Sequence, residues 1–295
     1  MLRKVVLVTD SCCDLPLKIV NDYEINVIPM HFAFSGVSYL DTPTHKEMSV
    51  SDFYLKLRNK EVAITSQATI EDCLNVIKPL ANEGYDIICL GFSSALSGTV
   101  NSMRLVSDMI KDEFPNINIS VIDTLSASLG EGLYVYLVAK KIKEGYDFQK
   151  VLDYALSLQN KICHYFTVDD LGTLKRGGRL SASKAFLGSL LNLKPLLHVT
   201  TEGKLVPIAK KIGRKQSLNM LVDFFKQKCS DPSIIFISHG SCYSDAEYVK
   251  NKISESNKKY YEEHPEVKKR RSKNAYEQWS NPEIKAKIIG KNNGM

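Results

Sequence analysis

The feature that most constrains this chain is a unit repeated along its first half: a short apolar run, a polar turn, then a helical pattern. Residues 4–9 are rich in Val and end in Asp10-Ser11-Cys12-Cys13-Asp14, with a helix signal from Leu15-Pro16 onward. Residues 62–64 end in Thr65-Ser66-Gln67, and apolar positions at Ile70, Cys73, Leu74 and Ile77 follow at helical spacing. Residues 86–92 lead through Ser93-Ser94-Ala95-Leu96-Ser97-Gly98-Thr99 to a helix from Asn101. Residues 117–122 lead through Asp123-Thr124-Leu125-Ser126 to a helix over 127–144. A strand that must return parallel to itself needs such a crossover, so the pattern predicts an α/β fold with a parallel sheet. Ligands in these sheets bind beyond the carboxyl ends of the strands. Here those ends carry hydroxyls.

Other elements fit around this frame. Residues 25–34 read as one further strand, followed by a loop with Gly36, Asp41 and Pro43. Residues 48–59 read as an amphipathic helix capped by Ser49 or Ser51. Gly145-Tyr146-Asp147 marks the start of a helix linking to a second domain. There the reading gives a strand at 163–168, a helix at 170–176, the pair Gly177-Gly178 and an apolar helix at 185–191. A hairpin over 196–206 turning at Glu202-Gly203 follows, then a helix at 215–229, a strand at 234–238 and a helix at 245–253.

With 295 residues, 44% hydrophobic and 24% charged, the chain can bury a sizeable core without staples. No apolar run reaches 18 residues, so no transmembrane segment is expected, and the N-terminal apolar run suits a buried strand better than a signal peptide. These readings place the protein in the cytoplasm. Its seven cysteines lack CxxC or zinc-ligand spacing and read as reduced core thiols; no metal is expected. The net charge of +6 is concentrated late: residues 252–295 hold nine Lys and two Arg against six Glu.

Ser and Thr at strand–helix turns offer hydroxyls beside free helix N-terminal amides, a combination that suits a carboxylate or a phosphate. The plainer alternative is that they only cap helices. The turns contain candidate nucleophiles but no persuasive His or Asp partner. G-x-S-x-G, a Walker A motif and a G-x-G-x-x-G after a strand are all absent. No catalytic residue is therefore assigned.

The motifs together resemble one family. Val8-Thr9-Asp10-Ser11 with Asp14-Leu15-Pro16, the Thr65-Ser66-Gln67 turn, and Ser93-Ser94-Ala95-Leu96-Ser97-Gly98-Thr99 with Asn101-Ser102 resemble segments of the DegV family in order and spacing. So do Asp123-Thr124 with Ala127-Ser128-Leu129-Gly130, and Val168-Asp169-Asp170-Leu171 with Leu174 to Leu180. Asn192 to Leu197 and Ser238-His239-Gly240 complete the set, which covers residues 1–253. The resemblance implies a two-domain fold: a parallel-sheet N-terminal domain over 1–155 and a mixed-sheet α/β domain over 156–253. It implies a bound long-chain fatty acid and no cofactor, the acid's carboxylate held by Thr65 and Ser97 with Ser66 and Ser94 as neighbours. It also implies a carrier, not an enzyme, that serves phospholipid synthesis by presenting the carboxylate to a fatty-acid kinase. Arg176, Arg179 and Arg214 are the candidate docking residues for that kinase. Phe186, Leu187, Leu190, Leu191 and Leu193 are candidates to line the acyl tunnel, or ordinary core.

After residue 253 the sequence departs from the family pattern. The family's closing strand and its histidine segment are not recognisable, and His264 does not match that position. Residues 254–295 read as a basic tail with an internal echo, Pro265-Glu266 and Pro282-Glu283 each opening a short helix. The echo loosely resembles DNA-binding segments appended to some nucleases. The second domain is accordingly expected to be incomplete. The alternative function is a truncated fusion whose tail contacts nucleic acid.

Overall fold

The computed structural model describes residues 3–169, 171–180, 193–263 and 265–266. Residues 1–246 form one compact unit and residues 247–295 a second. The expected helix at 185–191, four of the five tunnel candidates and most of the tail lie outside the described residues.

The parallel sheet is present, with strand order β2-β1-β6-β7. Its strands are β1 (Val5–Asp10), β2 (Asn26–Ile28), β6 (Asp86–Gly91) and β7 (Ile119–Asp123). All residues of β1 and β6 are buried, because helices cover both faces. Alternation sorts their side chains. Val5, Leu7, Ile88 and Leu90 face a core shared with α1 (Leu17–Asp22), α5 (Ser128–Lys143) and α6 (Phe148–Leu158). Val6, Val8, Ile87 and Cys89 face α3 (Ile70–Asn82) and α4 (Thr99–Glu113). The helix after Asp147 thus belongs to this first core.

Residues 25–34 are not one strand. Pro29 has no N–H to give a ladder, so pairing breaks there. Beyond the break, Met30 N donates to Ser11 Oγ at 3.1 Å and the chain enters a different sheet. That sheet is antiparallel, ordered β4-β3-β5, from β3 (Met30–Phe34), β4 (Val37–Asp41) and β5 (Ala63–Ser66). The expected loop at 37–41 is strand β4. Ser35 and Gly36, both at positive φ (49° and 83°), make the two-residue turn that folds it back on β3. Thr65 and Ser66 are therefore the last two residues of an antiparallel strand instead of a turn at the end of a parallel one. Helix α2 (Val50–Arg58), capped by Ser49, packs Phe53 against Phe32 and Phe34 of β3.

A third sheet, β10-β9-β8, is built from β8 (Tyr165–Thr167), β9 (Leu193–Val199) and β10 (Leu205–Ile212). Its three strands pair antiparallel, and a lone parallel bridge joins Leu180 to Leu205. Short helix α7 (Gly172–Arg176) lies between β8 and β9 in the chain, and α8 (Arg214–Lys228) and α9 (Tyr243–Glu263) follow the sheet. Residues 234–238 form no strand, although Phe236 still packs on Tyr136 at 5.4 Å between ring centroids.

Candidate functional site

The site is built around the loop 92–98, which links β6 to α4. Two strand-ending acids tie this loop down. Asp10, fully buried at the end of β1, accepts from Phe92 N at 2.9 Å and from Cys12 N at 3.1 Å. Asp123, at the end of β7, accepts from Ser94 N at 3.3 Å and Leu125 N at 3.0 Å. Ser93 is buried, its N–H donating to Ser126 O at 2.9 Å and its own carbonyl accepting from Leu96 N and Ser97 N. The loop thus ends in a tight turn that presents Ser97 at the start of α4. At the start of α4, Ser97 Oγ accepts from Thr99 N at 3.3 Å, while Asn101 N and Ser102 N donate to Gly98 O.

The turn after β5 is joined to this loop. Thr99 Oγ1 lies 3.0 Å from Ser97 Oγ and accepts from Ala68 N at 3.2 Å, while Gln67 Nε2 donates to Ser102 Oγ at 3.4 Å. Gly98 is needed for the approach, since a Cβ there would fall 1.9 Å from Gln67 Oε1. Thr65 pairs across the sheet with Phe32, and Ser66 with His31. Strand alternation puts the two hydroxyls on opposite faces. Thr65 shares the face of Met30, whose sulfur is 3.5 Å from Thr99 Oγ1, so Thr65 belongs on the Ser97 side. Ser66 shares the face of His31, which is paired with Asp72 at 2.8 Å. Thr65 and Ser94 are exposed, and Ser97 is half-buried.

The three arginines separate. Arg179 reaches the loop, its Nε donating to Leu96 O at 3.1 Å. Arg176 is exposed and donates to Thr173 Oγ1 at 3.3 Å. Arg214 is paired with Asp245 at 2.7 Å, with Asp169 at 4.0 Å. Leu193 begins β9 opposite Ile212.

Beneath the loop lies a set of buried ionisable groups that the sequence reading passed over. Burial pushes Asp10 up to about 6, against the lowering effect of the two N–H donors. Glu131, fully buried on α5, is raised well above the ordinary range, first by burial and then by the charge of Asp10; Thr9 Oγ1 donates to it at 3.2 Å. Burial lowers His164, packed on Gly130, to about 4. The flanking glycines were the available signal: Gly130 and Gly132 let α5 approach His164 and Cys13 O closely.

Ser97 Oγ is thus paired with another hydroxyl, not with a base. The joined turns form a set of donors suited to holding an acceptor anion. Among the described residues no group of three or more His, Cys, Asp or Glu could hold a metal ion. None of the described helices is long and apolar enough to cross a membrane.

From residue 4 to residue 267 the chain matches the profile of the DegV family of uncharacterised proteins. The chain belongs to the DegV family. The match takes in the first part of the segment 254–295. A DegV domain-containing protein of Clostridium perfringens is 38% identical over 256 residues, 86% of this chain and 88% of the relative. Among solved DegV structures, a fatty-acid-binding protein from Thermus thermophilus is 33% identical, with a TM-score of 0.65 over 76% of this chain and 77% of that one. A fatty-acid-binding DegV protein from Streptococcus agalactiae is 29% identical, with a TM-score of 0.74 over 86% and 89%. The α/β architecture with one parallel and further antiparallel sheets is that of these DegV structures.

Proposed function

We propose that this DegV protein binds a long-chain fatty acid, held by its carboxylate between Thr65 and Ser97, and presents that carboxylate to a fatty-acid kinase. The observation that carries the reading is the joint between the two hydroxyl turns: Ala68 N on Thr99 Oγ1 at 3.2 Å sets the end of β5 beside Ser97. Fatty-acid binding by the relatives from Thermus thermophilus and Streptococcus agalactiae supports the same ligand class. A carboxylate taken from water needs several hydrogen bonds, or its desolvation costs several kcal/mol. The hydroxyls of Thr65 and Ser97 supply donors, with Ser94 exposed close by. The acyl chain adds about 0.8 kcal/mol for each buried CH₂. Affinity then comes from the chain, and orientation from the hydroxyls.

For kinase docking, Arg176 is the strongest of the three arginines, because it is exposed and its hydrogen-bond partner among the described residues is Thr173 on its own short helix. Palmitate titration of Thr65→Ala and Ser97→Ala tests the site. Each variant is expected to fold normally and to lose about tenfold in affinity, the worth of one hydrogen bond to a charged acceptor. Full affinity in both would place the carboxylate elsewhere. Acyl phosphate formed by an added fatty-acid kinase and ATP, and reduced by Arg176→Ala with palmitate affinity intact, tests the presentation step.

A further inference from the structure

The loop 92–98 is held from a second direction, by the β8–β10 sheet. Ser93 Oγ donates to Gly203 O at 2.8 Å, at the turn of the β9–β10 hairpin. Gly203 adopts φ of 74° and backs directly onto the loop: a Cβ there would fall 2.1 Å from Ser93 Oγ and 3.2 Å from Leu125 Cα. Leu205, the first residue of β10, is buried with Leu96 and Ala127. Leu180 bridges Leu205, and its neighbour Arg179 donates through Nε to Leu96 O at 3.1 Å.

These contacts converge on one peptide plane. Leu96 O and Ser97 N belong to the same rigid amide. Ser97 N donates to Ser93 O at 3.1 Å on one side, and Leu96 O takes the charged donor of Arg179 on the other. Ser93, which accepts from Ser97 N, is itself pinned by Gly203. The orientation of Ser97 is therefore set from the β8–β10 sheet, directly at Gly203 and through Arg179 beside the Leu180 bridge, as well as by its own strand.

We propose that Gly203 and Arg179 are positioning residues for the carboxylate site: a two-point clasp through which the β9–β10 hairpin and the segment bridged to it at Leu180 hold Ser97 in its binding orientation. This deepens the reading that Ser97 meets the carboxylate, and it gives Arg179 a role within the chain in place of kinase docking. The clasp touches backbone and Ser93 only. Its loss disorders the donor set without removing a donor, and it leaves the first core, which holds the strands, intact.

The test compares palmitate with hexadecanol, a ligand of the same chain length without the charge, in wild type, Arg179→Ala, Ser93→Ala and Gly203→Ala. Arg179→Ala and Ser93→Ala each delete one clasp contact without adding bulk, so they keep the test open if Gly203→Ala does not fold. The clasp predicts that palmitate weakens about tenfold in each folded variant while hexadecanol binding stays within about twofold, which collapses the carboxylate preference. Equal weakening of both ligands, or no weakening of palmitate, overturns the clasp. If wild type shows no preference for palmitate, or Ser97→Ala does not reduce it, the carboxylate site itself is misplaced, a failure distinct from that of the clasp.

Discussion

Asp10→Asn separates the charge of a buried carboxyl from its work as an acceptor. In the native protein Asp10 is fully buried, and burial raises its pKa from 3.8 to about 6 although two backbone N–H groups donate to it. A folded value above the unfolded one means the native state binds the proton more tightly. The stabilising contribution is then complete below about pH 3.8 and is lost as pH rises through about 6. A shift of about two units at about 1.4 kcal/mol each amounts to ~3 kcal/mol. Asn keeps one carbonyl oxygen for Phe92 N or Cys12 N and leaves the other donor poorly served, a cost of ~1–3 kcal/mol at every pH. The variant is therefore less stable than wild type near pH 4, and the gap closes or reverses by about 3 kcal/mol near pH 8. Urea unfolding at a series of pH values, followed by circular dichroism, measures the difference directly. Glu131 feels the charge of Asp10, so repeating the series in a Glu131→Gln background removes the second carboxyl from the comparison. A stability difference that stays constant from pH 4 to pH 8 would refute the reasoning, because the buried charge would then carry no net penalty.

Two further outcomes follow from packing and capping. Leu196→Ala empties a fully buried position in the middle of β9 and is expected to cost about 2–5 kcal/mol in urea unfolding. Thr69→Ala removes the capping box at the start of α3, where Thr69 and Asp72 satisfy each other's backbone N–H groups; a loss of about 1 kcal/mol in the same assay is expected.

Where the sequence could be read, hydrophobic period and turn chemistry agreed. The runs at 4–9 and 86–92 are buried strands because both of their faces meet helices, and a near-continuous apolar run is the signature of that environment; the run at 117–122, broken by Asn118 and Ser120, is the partly buried edge strand β7. The hydroxyl turns after β1, β6 and β7 lie at the carboxyl edge for the same reason. Misreadings arose where a single residue redirected the chain. Pro29 splits one apolar run between two sheets, and the Ser35-Gly36 turn makes a hairpin from a segment read as a loop. The strand before Thr65 is too short for its period to distinguish parallel from antiparallel pairing, so its transfer to the β3 sheet was not legible. The candidate site residues were named from the family motifs, but not what organises the loop that carries Ser94 and Ser97. Asp10 and Asp123 read as turn residues, and their work of fixing the loop 92–98 depends on strands far apart in sequence. Arg179 illustrates the same limit: the family resemblance suggested it for kinase docking, and its bond to the carbonyl of Leu96 was not legible in the sequence.

Native mass spectrometry of the purified protein, followed by organic extraction and analysis of the extract, tests the central claim most directly. The account predicts a bound long-chain fatty acid, one per chain, that exchanges with added palmitate and is depleted in Thr65→Ala and Ser97→Ala. A protein that emerges free of lipid and takes up no added palmitate would contradict it.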